Sequence, residues 1–116
     1  MYRIGEFSSM TELSKETLRY YADIRLLVPV YIDPTNNYKY YDNNSFLTAR
    51  LLFYLHKFDF TIQEMLQVVH EQSLDDLEEI LLGKKRKLQQ KVVRISMLID
   101  DIDSFINEGK GEDFDT

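Results

Sequence analysis

The chain has 116 residues, 44% of them hydrophobic, which allows one small core with an extended appendage. It contains no cysteine, so disulfides, thiolate metal sites and cysteine nucleophiles are excluded, and its longest apolar run, Leu51 to Leu55, is too short for a signal peptide or a membrane span. The net charge of -6 argues against a uniformly basic nucleic-acid binder. That charge is segregated, however: residues 58 to 83 carry seven acidic and no basic side chains, whereas 84 to 94 carry six basic and no acidic ones. Because exposed charges are screened beyond about 8 Å at physiological salt, a local cationic face can still meet phosphate. A cytoplasmic protein is expected.

Tyr2 to Ile4 reads as a short strand, and Gly5 to Met10 as a helix of one to two turns. Thr11, Glu12 and Leu13 separate it from Ser14, a preferred N-cap that opens a second helix through Ile24. Two short helices joined by about three residues have the spacing of a helix-turn-helix, whose second helix enters the major groove. On that helix Leu18 and Ala22 share a packing face, whereas Lys15, Arg19 and Tyr20 point outward. Arginine grips phosphate through two donors and tyrosine adds a hydroxyl with little entropy to lose. The competing reading of these residues alone is an amphipathic surface helix.

Pro29 ends the second helix by Leu27. Tyr31 to Asp33 and Tyr38 to Tyr41 then read as a hairpin around Pro34 and Asn36-Asn37. A helix is expected from about Asn44 to Phe58, with Phe46, Leu47, Arg50, Leu51, Tyr54, Leu55 and Phe58 recurring three and four apart. Thr61 to Glu64 forms a capping box for a shorter helix to about Glu71, with Ile62, Met65, Leu66 and Val69 inward. His56 and His70 have no ligand partners in the pattern and read as surface histidines.

Ser73 caps the last element, expected from Leu74 to about Asn107, and at 1.5 Å per residue this rod spans about 51 Å. Leu74, Leu81, Leu88, Ile95 and Ile102 repeat every seven residues, with Leu77, Val92, Ile99 and Ile106 interleaved and Lys84 breaking the seam. A stripe extending past the core requires a second helix, and a dimer, parallel or antiparallel, satisfies it through Leu81, Leu88, Val92, Ile95, Ile99, Ile102 and Ile106. The rival arrangement folds the helix back on its own domain. Gly83 marks a place for a kink, and residues 109–116 read as a disordered acidic tail.

These residues resemble the MerR-type transcription regulators. The resemblance is carried by Ile4-Gly5-Glu6-Phe7-Ser8, Leu18-Arg19-Tyr20-Tyr21, Leu26-Leu27-Val28-Pro29, Tyr31-Ile32-Asp33-Pro34, Tyr38-Lys39-Tyr40-Tyr41 and Thr61-Ile62-Gln63-Glu64-Met65. It implies a mainly α fold: a winged helix-turn-helix over residues 1–71 with the hairpin as wing, then a dimerisation helix over 73–108 forming an antiparallel coiled coil. It further implies double-stranded DNA as partner, a palindromic operator within a promoter, distortion of that promoter, and RNA polymerase affected indirectly. Carried over residue by residue, Lys15, Thr17, Arg19, Tyr20 and Tyr21 belong to the recognition helix and Lys39 and Tyr41 to the wing. His56 stands where some relatives add a phosphate contact. Arg25, Asn37 and Asp59 replace glycines usual in the family.

No metal-ligand cluster, glycine-rich phosphate loop or nucleophile-histidine pair at motif spacing is present in the sequence, so no catalytic, metal or cofactor site is expected. Neither a cysteine metal loop nor a drug-binding domain follows the long helix, so either the chain is a fragment or it acts without a ligand of its own. The alternative function is a coiled-coil protein-interaction adaptor with a degenerate DNA-binding domain.

Overall fold

The computed structural model describes residues 1–111 and divides into two compact units, Met1–Leu74 and Asp75–Thr116. In the first unit the order is β1 (Tyr2–Arg3), α1 (Ile4–Thr11), α2 (Lys15–Asp23), β2 (Tyr31–Ile32), β3 (Lys39–Tyr41), α3 (Asn43–Lys57) and α4 (Ile62–His70). A 3-10 turn over Leu74–Asp76 and one long helix, α5 (Leu77–Gly111), complete the described chain.

The hairpin does not stand alone. β1 joins it to make a three-stranded antiparallel sheet in the order β1-β3-β2, with Tyr2 opposite Tyr41 and Arg3 opposite Tyr40, while Tyr31 pairs Tyr40 and Ile32 pairs Lys39. A two-stranded hairpin is marginal in water, and the third strand supplies the missing support. The Phe7 ring of α1 stacks on Tyr41 of β3 with centroids 4.3 Å apart and planes 6° from parallel. Phe7 and Tyr41 are both fully buried.

Local chemistry sets the helix starts. Ser14 Oγ accepts from the Thr17 amide at 3.0 Å, Asp42 from the Ser45 amide at 2.8 Å, and Thr61 Oγ1 from the Glu64 amide at 3.1 Å. The Glu64 carboxylate completes the expected capping box by accepting from the Thr61 amide.

The α3 core face differs from the expected one. Ser45, Ala49, Leu52 and Leu55 are buried, while Leu47, Tyr54 and Phe58 are exposed. The buried face of α3, which packs in part on α1, thus includes the small side chains of Ser45 and Ala49, which a pattern of large apolar residues does not mark. Arg50 instead ties the surface together, lying 3.5 Å from Glu12 and over the rings of Phe53 and Tyr54. On α4 the buried residues are Met65 and Val68, with Ile62, Leu66 and Val69 only half-buried.

Four non-glycine residues have left-handed backbones: Glu12 (φ 66°), Arg25 (61°), Asn37 (59°) and Asp59 (68°). Three of them are the positions where the family resemblance calls for glycine, and Glu12 adds a fourth at the end of α1. Left-handed backbone costs a residue with an ordinary Cβ, such as Arg25, about 1 kcal/mol, with a smaller cost for asparagine and aspartate. His70 does more than the surface role expected of it. Its Nε2 lies 2.7 Å from the Arg25 carbonyl oxygen and so fastens the end of α4 to the strained loop.

The helix α5 begins at Leu77, after Leu74 has been used in the 3-10 turn, and runs without a break through Gly83 to Gly111. No break in the helix occurs at Gly83, one unfavourable glycine among 35 consecutive helical residues. Part of the expected tail is helical, since α5 continues past Asn107; residues 112–116 lie outside the described residues. No helix among the described residues is long and apolar enough to cross a membrane.

Donation by the Ser45 amide, then by its hydroxyl, holds the Asp42 carboxyl below its ordinary value of 3.8, and Thr35 does the same for Asp33. A carboxylate whose folded value is depressed stabilises above its ordinary value and loses that contribution as pH falls through the folded value. Thermal unfolding midpoints should therefore hold steady from neutral pH to about 4 and fall below it. Asp42→Asn should lower the neutral midpoint and flatten the acid decline; an unchanged decline would contradict the capping role.

Candidate nucleic-acid interface

The helix-turn-helix is built by side-chain bonds to its own turn. Ser8 Oγ donates to the Leu13 carbonyl at 2.6 Å, Thr11 Oγ1 to the Phe7 carbonyl at 2.8 Å, and the Leu13 amide donates to Thr11 Oγ1 at 3.3 Å. Leu13, Leu18 and Tyr21 fill the space beneath α2, so its opposite face must point outward. That face carries Lys15, Glu16, Arg19, Tyr20 and Asp23, with the Tyr20 side chain 49% exposed.

Arg19 meets the wing across a concave cleft of about 450 Å³, lined by Arg3, Ile4, Gly5, Glu6, Arg19, Asn37, Tyr38 and Lys39. Lys15 reaches the same region: a Cβ added at Gly5 would stand 3.5 Å from its Cε and 3.7 Å from its Nζ. Cations from β1, α2 and β3 thus gather at one surface of an acidic chain.

A second cleft, about 540 Å³, lies between the start of α2 and the end of α3, lined by Glu12, Leu13, Ser14, Thr17, Tyr21, Phe53, His56 and Lys57. His56 is exposed and shares this cleft with Thr17, whose hydroxyl accepts from Ser14 Oγ at 2.9 Å. The positive end of the α2 dipole opens here beside His56 and Lys57, which suits an anion.

Of the expected DNA-facing residues, Arg19 and Lys39 line the first cleft with Lys15 close to it, His56 lines the second with Thr17 half-buried at its edge, and Tyr20 is exposed on α2. Two need correction. Tyr41 is fully buried against Phe7, so it cannot reach a partner, and its hydroxyl has no hydrogen-bond partner among the described residues. Tyr21 is only 4% exposed and serves as floor to the second cleft rather than as an outward side chain. Burial raises the pKa of both phenols, opposed at Tyr41 by the nearby Arg19 cation. Sequence reasoning missed Arg3 and Lys57. The first could have been found had the opening strand been paired with the hairpin, and the second from its place beside His56.

Removing an unpartnered buried hydroxyl relieves a desolvation cost. Tyr41→Phe is expected to leave thermal stability unchanged or raised by about 1 kcal/mol, with DNA affinity the same. A marked loss of affinity at unchanged stability would return Tyr41 to the binding surface.

A model of the MerR HTH family of regulatory proteins matches residues 2–72. The chain is 29% identical over 97 residues to the Multidrug-efflux transporter 1 regulator of Bacillus subtilis, covering 84% of this chain and 34% of that protein. It is 26% identical over 106 residues to the transcriptional regulator BrlR of Pseudomonas aeruginosa, covering 89% and 39%. The chain thus spans little more than a third of the length of these relatives. Among solved structures, the EcmrR-DNA complex in EcmrR-RPo aligns with a TM-score of 0.70 at 26% identity, covering 96% of this chain and 40% of that one. The N-terminus of the Bacillus subtilis multidrug transporter activator, MtaN, aligns with a TM-score of 0.78 at 20% identity, covering 91% and 98%, a likeness of fold. The chain belongs to the MerR family of helix-turn-helix regulatory proteins.

Proposed function

We propose that this chain is a cytoplasmic, homodimeric transcription regulator that binds a palindromic operator in promoter DNA and distorts it, acting on RNA polymerase through the promoter. The observation that carries this reading is the convergence of Lys15, Arg19 and Lys39 on one face formed by α2 and the wing. The adaptor alternative is disfavoured, because a degenerate DNA domain has no need to keep those cations and Tyr20 outward. The similarity to EcmrR, whose structure is of a DNA complex, supports the same reading.

The dimer is argued from α5. Val92, Ile95, Ile99, Ile102 and Ile106 are all largely exposed, and Leu81 and Leu88 are half-exposed. The stripe is symmetric about Met97: Leu88 and Ile106, Val92 and Ile102, and Ile95 and Ile99 are equidistant from it. An antiparallel partner therefore matches apolar layer to apolar layer from Leu88 to Ile106. The same register sets the basic stretch 86–94 opposite the acidic stretch 100–108, whereas a parallel partner would set like charges together. Two recognition helices held this way fit successive major grooves about 34 Å apart.

Arg19→Ala should weaken binding to every duplex by about tenfold and make the dependence of log affinity on log salt shallower by about one. Unchanged affinity would contradict the role given to α2. For the dimer, nitroxide labels at Lys85 should lie about 36 Å apart along the axis in the antiparallel register. A distance near 10 Å, the spacing of adjacent parallel helices, would contradict it.

A further inference from the structure

We propose that the cleft between the start of α1 and the wing seats one backbone phosphate of the duplex, with Arg3 as the arginine that grips it. The inference rests on duplex DNA being the ligand of this face, and assigns a residue outside both the recognition helix and the hairpin. Pairing of Arg3 with Tyr40 fixes its backbone at the edge of the sheet. Its guanidinium lies over the Tyr38 ring, 4.7 Å from the centroid. Hydrogen bonding to Tyr40 favours its charged form further.

A guanidinium placed over a phenol ring has further N–H donors at its edge besides the one engaged by Tyr40, in the fork geometry that matches phosphate oxygens. Because Tyr38 already orients the side chain, little rotamer entropy is lost on binding. The same cleft is lined by Arg19 and Lys39, so an anion there meets three cations. The one carboxylate in its lining, Glu6, is engaged by the Arg3 backbone amide at 3.3 Å and caps α1. A phosphate rather than a base edge suits the position, since Arg3 stands on the strand beside the wing and not on the helix that enters the groove.

The test titrates the full chain against a duplex it has selected from a random pool and against an unrelated duplex, at several salt concentrations, with thermal midpoints recorded. Arg3→Gln should lose about tenfold in affinity for both duplexes and about 0.9 in the salt slope. Arg3→Lys should keep the slope, because the charge remains. Wild-type affinity and slope in Arg3→Gln would overturn the proposal. So would an affinity loss with full slope and a lowered midpoint, which would make Arg3 only a strand staple. If Arg19→Ala weakens binding while Arg3→Gln does not, this inference alone falls; if the wild-type chain binds neither duplex, the DNA-binding reading falls with it.

Discussion

The structure of the first unit depends on one contact, the stack of Phe7 on Tyr41. Phe7 belongs to the helix-turn-helix and Tyr41 to the last strand of the wing, so this pair fixes the two parts on either side of the cationic cleft. Aromatic pairs contribute about 0.5 to 1.5 kcal/mol beyond burial of their area. Pairing of β1 with β3 acts at the same place, because Tyr2 lies opposite Tyr41. The cations of Arg3, Arg19 and Lys39 border one cleft because their three elements share this anchor.

A net charge of -6 is reconciled with a polyanionic partner by location. The residues 1–57 carry seven basic and six acidic side chains, so the first half is nearly balanced and its cations are concentrated at the clefts. Seven of the remaining acidic residues precede the basic stretch of α5, and those at 100–108 follow it, where the proposed antiparallel partner uses them for alignment. On the proposed function, the acidic whole is expected to weaken attraction to arbitrary DNA, which favours discrimination over bulk affinity. Arg25 has a left-handed backbone fastened by His70, and nothing in the structure explains the choice of arginine there.

Much of the fold was readable from local signals. The caps at Ser14, Asp42 and Thr61 and the positive φ at Arg25, Asn37 and Asp59 follow from short-range chemistry and from glycine positions in the family. What escaped depended on contacts distant in sequence. Pairing of β1 with β3 joins residues about 38 apart and leaves no periodic trace in a strand of two residues. It hid both the role of Arg3 and the burial of Tyr41. On α3 the buried face passes through Ser45 and Ala49, small side chains that a pattern of large apolar residues does not mark. Gly83 makes no break in α5, since its local cost is outweighed by its long helical surroundings.

The central claim is that one cationic surface, made by α2 with the wing and repeated by a second copy, follows the DNA backbone over two turns. Hydroxyl-radical footprinting of the full chain on a duplex selected from a random pool tests it most directly. The account predicts two symmetric sets of protected backbone about 34 Å apart, each with a groove-facing cluster from α2 and a flanking cluster from the wing. A single unrepeated patch, or protection with no flanking cluster, would contradict it.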